Sequence, residues 1–194
     1  MSQLFKLSPS DFGFLYDECK RCFYLKVKHG FLRPRSIMPS IFIKIDGIMK
    51  DHFEGKSPKD ITDTLPEGKI EFGSKWIQSR PFTDKNTGNK CYIKGVTDTV
   101  LGFNDSTYGV IDFKTSAKIY KEYYLQVYGY AQAVHEMINW GDDSNKYYPK
   151  GMIVRLDKNE DKFQEVAFEC EPRVFHYALS LKEFQSKRIQ KLKI

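Results

Sequence analysis

An α/β fold with a central mixed sheet flanked by helices is the class this sequence predicts, and three observations carry it. Strand-like runs recur at 91–103, 108–116, 148–156 and 162–170. Helical periodicity occupies 8–28, 40–55 and 121–140. The composition, 41% hydrophobic, 29% charged and 15% aromatic over 194 residues, is that of a globular chain long enough to bury a core.

Taken in order, the elements follow from local signals. SPSDF offers Ser8 as N-cap, Pro9 at the first helical position and Asp11 three residues on, so one helix is expected from there to about Lys28. FLRPRSIMP reads as a loop, after which Ser40 can cap a second helix through SIFIKIDGIMKDHFEG. Ile41, Ile45, Ile48, Met49 and His52 fall at helical spacing along one side of it. A short helical turn is expected at PKDITDTL. KIEFGSKWIQSRPF reads as a strand or hairpin entry, and TDKNTGNK as a hairpin loop, because Asn and Gly tolerate positive φ. CYIKGVTDTVLGF and YGVIDFKTS, joined by NDST, are expected to pair as an antiparallel hairpin. A helix from Lys121 to about Trp140 follows, then YPKGMIVRL and KFQEVAFEC as strands around DKNED, and a basic terminal helix from Pro172. A single domain is expected over 1–194, with a helical N-terminal part at about 1–65, a core at about 66–170 and the last helix at about 172–194.

Charge and cysteine usage narrow the function classes. Lys and Arg outnumber Asp and Glu by 31 to 25, for a net charge of +6, which favours an anionic partner such as nucleic acid. No stretch approaches a membrane span and MSQLFKLSPSDFG has no apolar signal region, so a soluble cytoplasmic chain without a membrane partner is expected. Cys19, Cys22, Cys91 and Cys170 are too scattered for a disulfide framework and are expected to be reduced thiols.

GVIDFKTS sets an acid and a lysine two residues apart in what otherwise reads as a buried strand. Residues i and i+2 of a strand share a face, so Asp112 and Lys114 point together, and the plain reading is a cross-face ion pair on a solvated edge strand. Asp98, in KGVTD, lies on the strand expected to pair with that one, so a hairpin can bring Asp98 and Asp112 side by side. Two adjacent carboxylates repel unless a cation lies between them, and Mg²⁺ or Mn²⁺ prefers such oxygen donors. Lys114 beside that ion could orient a water and stabilise a crowded phosphorus centre.

With these residues in view, the sequence resembles the PD-(D/E)XK nuclease superfamily, in the RecB-type branch that includes the CRISPR-associated adaptation nucleases. The resemblance runs from Ser8 to about Ala133 and rests on LSPSDFGFLYDECKRCFYLK, KDHFEG, GVTD, IDFKTS and QVYGY in that order. It implies a restriction-endonuclease-like core, with catalytic roles for Asp98, Asp112 and Lys114. It also implies one or two Mg²⁺ or Mn²⁺ ions held by His52, Asp98, Asp112 and the backbone carbonyl of Phe113. Gln126 and Tyr130 match the closing motif and, at i and i+4 on one helix face, would contact substrate. The activity implied is metal-dependent hydrolysis of DNA phosphodiester bonds, by an exonuclease acting on a single strand or a free end. A catalytically silent nucleic-acid-binding module of the same fold and an RNA-cleaving nuclease are the alternatives.

Each residue also has a plain reading. His52 on an apolar stripe can be a core histidine, and Gln126 with Tyr130 a helix-surface pair, while an exposed Tyr123 or Tyr128 could stack on a base. Cluster-bearing members of the branch place one cysteine as Cys19 stands in CKRCFY and three more near the carboxyl terminus, where this chain has only Cys170. No iron–sulfur cluster is therefore expected, and a lone CxxC is a weak zinc signal.

Overall fold

The structure is a computed structural model that describes residues 4–13, 15–34, 40–61, 63, 65–83, 88–104, 108–138, 150–157 and 162–169. It is a mixed α/β fold with a central sheet flanked by helices. The terminal helix expected from Pro172 lies outside the described residues. Among those residues, no helix is long and apolar enough to cross a membrane.

The longest strand, β4 (Lys90–Phe103), organises the sheet. On one side it pairs antiparallel with β3 (Phe82–Thr83) and with β2 (Gly68–Gln78). On its other side the first half pairs parallel with β1 (Leu4–Leu7), up to Leu7 opposite Ile93. The second half pairs antiparallel with β5 (Tyr108–Lys114), from Thr99 opposite Ile111 to Gly102 opposite Tyr108. β5 continues parallel to β6 (Lys150–Asp157), which pairs antiparallel with β7 (Lys162–Glu169). A parallel neighbour needs a crossover. Helix α6 (Lys121–Ile138) supplies it between β5 and β6.

The hairpins expected at 69–82/91–103, at 91–103/108–116 and around 157–161 are all present. The amino-terminal reading needs two corrections. Leu4–Leu7 forms a strand, alternating exposed and buried as an edge strand does, where no element was expected. The single helix expected over 8–28 is three pieces: α1 (Pro9–Gly13), α2 (Leu15–Glu18) and α3 (Lys20–His29). The second break has a local cause. Cys19 takes an extended backbone (φ −152°, ψ 94°) and caps α3, its Sγ accepting the Cys22 N–H at 3.2 Å. At the other end Gly30, at φ 73°, turns the chain, and the N–H groups of Gly30 and Phe31 close on the Lys26 and Leu25 carbonyls.

Two apolar clusters hold the helices to the sheet. Phe5, Phe12, Phe23, Ile93, Val100 and Val110 pack with the α6 stripe of Tyr123, Val127, Tyr130, Ala131 and Val134, whose spacing is that of one helix face. On the opposite side Phe53 and Leu65 pack with Leu101, Phe103, Ile111 and Phe113, under α4 (Ser40–Phe53) and α5 (Pro58–Ile61). The α4 stripe read from the sequence is right at Ile45 and wrong at Ile41, Ile48 and His52. Ile41 and Ile48 are 56% and 66% exposed, and His52 is exposed as well. The helix instead turns Ile45 and Phe53 inward, Phe53 stacking parallel on Phe113 at 5.3 Å.

Candidate active site

Between Leu7, where β1 ends, and Ile111, where the β5 ladder stops, residues 94–98 of β4 have no strand partner on that side. The ladder ends because the backbone bond is replaced: the Phe113 N–H, beyond the last pair, donates to Asp98 Oδ2 at 3.0 Å. One oxygen of Asp98 is thus fixed by β5 itself. On the other flank the register places Ser74 opposite Asp98, and Ser74 has a left-handed φ of 40°, close to a register shift between Ile70 and Phe72. Both neighbours of β4 are therefore irregular at the level of this acid, an arrangement frequent at functional sites.

Asp112 is the buried member of the pair, 2% exposed. Its Oδ1 accepts from Gln126 Nε2 at 3.2 Å, and its Oδ2 lies 2.5 Å from Lys114 Nζ. No donor is aligned on Oδ2 as a hydrogen bond, and the ion pair with Lys114 is its main compensation. Burial, opposed by the charge of Lys114 and reinforced by that of Asp98, pushes the Asp112 carboxyl up to about 6.

Gln126 ties these groups together. Its carbonyl accepts from Lys114 Nζ at 3.2 Å, while Nε2 donates to Asp112 and, at 3.3 Å, to the Tyr130 hydroxyl. Both amide hydrogens and the oxygen are in use, which leaves one orientation of the amide. Lys114 Nζ also lies 4.9 Å from the centre of the Tyr123 ring. Tyr130 rests against β4 where Gly95 leaves room for it: a Cβ at Gly95 would stand 3.0 Å from its ring. Gln126 and Tyr130 are 5% and 6% exposed, so the helix-surface reading of the pair is excluded. Tyr123 is 4% exposed and Tyr128 packs on the core, so neither is an open stacking platform.

The structure thus brings together Asp98, Asp112, Lys114, Gln126 and Tyr130, with Phe113 between the acid and the lysine. It does not bring in His52. That side chain is on the exposed side of α4, its Nε2 3.0 Å from Lys56 Nζ. The helix delivers Lys50 instead, two residues earlier, with Nζ 3.0 Å from Asp98 Oδ1 and 2.9 Å from Asp46 Oδ2. Neither Lys50 nor Asp46 stands out in the sequence. The signal for them is an i, i+4 acid–lysine pair on the helix side that carries Ile45 and Phe53.

Among the described residues, no group of three His, Cys, Asp or Glu side chains is disposed to hold a metal ion. What they provide is a two-carboxylate, all-oxygen donor set with one buried oxygen lacking an aligned donor. That set suits Mg²⁺ or Mn²⁺, which commonly take one or two carboxylates and complete their shell with waters and substrate phosphate. Among the described residues no thiol joins this set, since Cys91 is enclosed in the core and Cys19 and Cys22 belong to the start of α3.

No protein-family model matches the sequence, and no curated protein matches it. Among solved structures, the chain is similar to SSO0001 with a TM-score of 0.53 and 14% identity, over 93% of this chain and 76% of that one. The structure of an alkaline exonuclease from Laribacter hongkongensis gives a TM-score of 0.47 and 11% identity, over 96% of this chain and 92% of that one. At this identity the first likeness is one of fold, and the second is too loose to bear on chemistry.

Proposed function

We propose that this chain is a divalent-metal-dependent nuclease of the PD-(D/E)XK superfamily, RecB-type, which hydrolyses phosphodiester bonds in DNA, as an exonuclease on single strands or free ends. The observation that carries this reading is Asp98 and Asp112 meeting where β4 and β5 part, with Lys114 two residues on and paired to Asp112. The net charge of +6 suits a polyanionic substrate.

Asp98, Asp112 and the Phe113 carbonyl would hold one or two Mg²⁺ or Mn²⁺ ions, which when bound supply Lewis acidity to the phosphoryl oxygens and acidify a water. His52, turned away beside Lys56, is left out of that set. Lys114, held by Asp112, Gln126 and the Tyr123 face, keeps its ammonium at the acids, where its N–H groups donate to the attacking water or to the negative charge that develops on phosphate. Gln126 and Tyr130 are too buried to grip a strand and act by orienting Asp112 and Lys114.

The test is incubation with end-labelled single-stranded and duplex DNA in Mg²⁺, Mn²⁺ or EDTA. Cleavage with metal, none in EDTA and none by Asp112→Asn is expected. An Asp112→Asn protein that cuts at the wild-type rate would sink the assignment.

A further inference from the structure

We propose that Lys50 is a built-in counter-ion that competes with the divalent cation for Asp98 and is handed to Asp46 when the cation binds. The inference rests on the metal-site reading above and assigns a positioning residue that the sequence motifs do not contain.

Asp98 has two oxygens, and Oδ2 is committed to the Phe113 N–H at 3.0 Å. Oδ1 is the oxygen left for a cation, and Lys50 Nζ occupies it at 3.0 Å. An ammonium already on that oxygen repels a divalent ion approaching it and takes up one of its lone-pair sites, so cation binding favours withdrawal of Lys50. The same Nζ lies 2.9 Å from Asp46 Oδ2, one helical turn earlier, so Lys50 can leave Asp98 without losing its other carboxylate. The exposures are graded in the direction of such a transfer: the Asp98 side chain is 19% exposed, that of Lys50 29% and that of Asp46 47%. Stacking of Phe53 on Phe113 fixes α4 on β5, which keeps Lys50 within reach of Asp98. Without Lys50, Asp98 would stand beside the Asp112 carboxylate with no ion-pair partner of its own among the described residues, since Lys114 is paired to Asp112. With it, the apo site is neutralised at the expense of cation affinity.

Isothermal titration of the whole chain with Mn²⁺, in the absence of nucleic acid, tests this. Lys50→Met keeps the aliphatic stem and removes the charge. It should bind Mn²⁺ about three- to tenfold more tightly than the wild type, the range that loss of one competing, partly exposed ion pair gives. Lys50→Gln should shift affinity in the same direction and serves if the Met variant does not fold. A purely structural lysine would leave affinity unchanged or lower it, so equal or weaker Mn²⁺ binding by the folded variant overturns the proposal. If the wild type binds Mn²⁺, Asp98→Asn loses it and Lys50→Met is unchanged, only the competition fails. If the wild type takes up no Mn²⁺, the metal-site reading fails and this proposal with it.

Discussion

Gln126 Nε2 donates to Asp112 Oδ1 at 3.2 Å from within the apolar stripe of α6, so the helix that crosses from β5 to β6 also sets the acid on β5. A glutamine buried among Tyr123, Val127 and Tyr130 would carry a large desolvation penalty unless each amide atom found a partner, and each does, in Asp112, Lys114 and Tyr130. Gln126 is therefore an orienting group whose partners are Asp112 and Lys114.

This separates two roles by kinetics. Gln126→Leu leaves Asp112 and Lys114 charged and unoriented, and the expected result is a fall in kcat of about 10–100-fold, the usual scale for a lost supporting hydrogen bond, with KM nearly unmoved. A variant whose KM rises while kcat holds would show that Gln126 touches the substrate strand instead.

Gly95 provides a second test from the other side of Tyr130. A Cβ there would lie 3.0 Å from the Tyr130 ring and 3.4 Å from Pro9, so Gly95→Val must displace the ring or α1. A loss of about 1–3 kcal/mol in chemical denaturation is expected, as for overpacking, together with reduced turnover as the Tyr130 hydroxyl leaves Gln126. Full activity in a destabilised Gly95→Val protein would show that Tyr130 has no part in orienting the site.

How much of this was legible in the sequence depended on whether the signal was local. The hairpin strands and α6 follow from period-2 and helical patterning with turn residues between them, and the pairing that sets Asp98 beside Asp112 follows from the hairpin. Ile41, Ile48 and His52 were read onto the buried side because they share helical spacing with Ile45, which is on it, and only the stacking of Phe53 on Phe113 fixes how the helix is turned. Once that choice is made, Lys50 faces the acid and His52 faces away. The break before α3 was hidden for a similar reason: apolar residues continue through it, while the extended backbone at Cys19 is a matter of capping.

Phe53 therefore decides which α4 side chain reaches Asp98. It is 4% exposed, and Phe53→Ala is expected to cost about 3–5 kcal/mol in a denaturant titration. A cost below about 1 kcal/mol would mean that α4 is not anchored through this ring.

The cysteines lead to a spectroscopic expectation. Cys91 is 2% exposed within the core cluster of Phe5 and Ile93, whereas the thiols of Cys19 and Cys22 are only half-buried, and Cys170 lies outside the described residues. Four thiolates converging on one cluster would require Cys91 to leave that core. Anaerobically purified protein should be colourless, and brown protein with near-stoichiometric iron and sulfide would overturn the expectation.

The pH dependence follows from Asp112. Its carboxyl is pushed up to about 6 from an ordinary 3.8, chiefly by burial, so the folded chain holds a proton that the unfolded chain has already released in that window. The sign is fixed by this: the contribution is fully present below the unfolded value and is lost as pH rises through the folded one. Its full size is on the order of 3 kcal/mol, because each unit is worth about 1.4 kcal/mol. Asp112→Asn removes the ionisation but also takes the carboxylate from Lys114, leaving it Gln126 and the Tyr123 ring, so its net gain is smaller. The measurement is the Tm of both proteins in EDTA from about pH 4 to 7, the window set by the two values. The variant's advantage over the wild type should widen across it. Mn²⁺ should then raise the wild-type Tm most at the upper end of the window, where the carboxylate is free to bind, and leave Asp112→Asn unmoved. A wild type that gains stability relative to Asp112→Asn as pH rises would mean that Lys114 more than compensates for burial, and that Asp112 is ionised well below about 6.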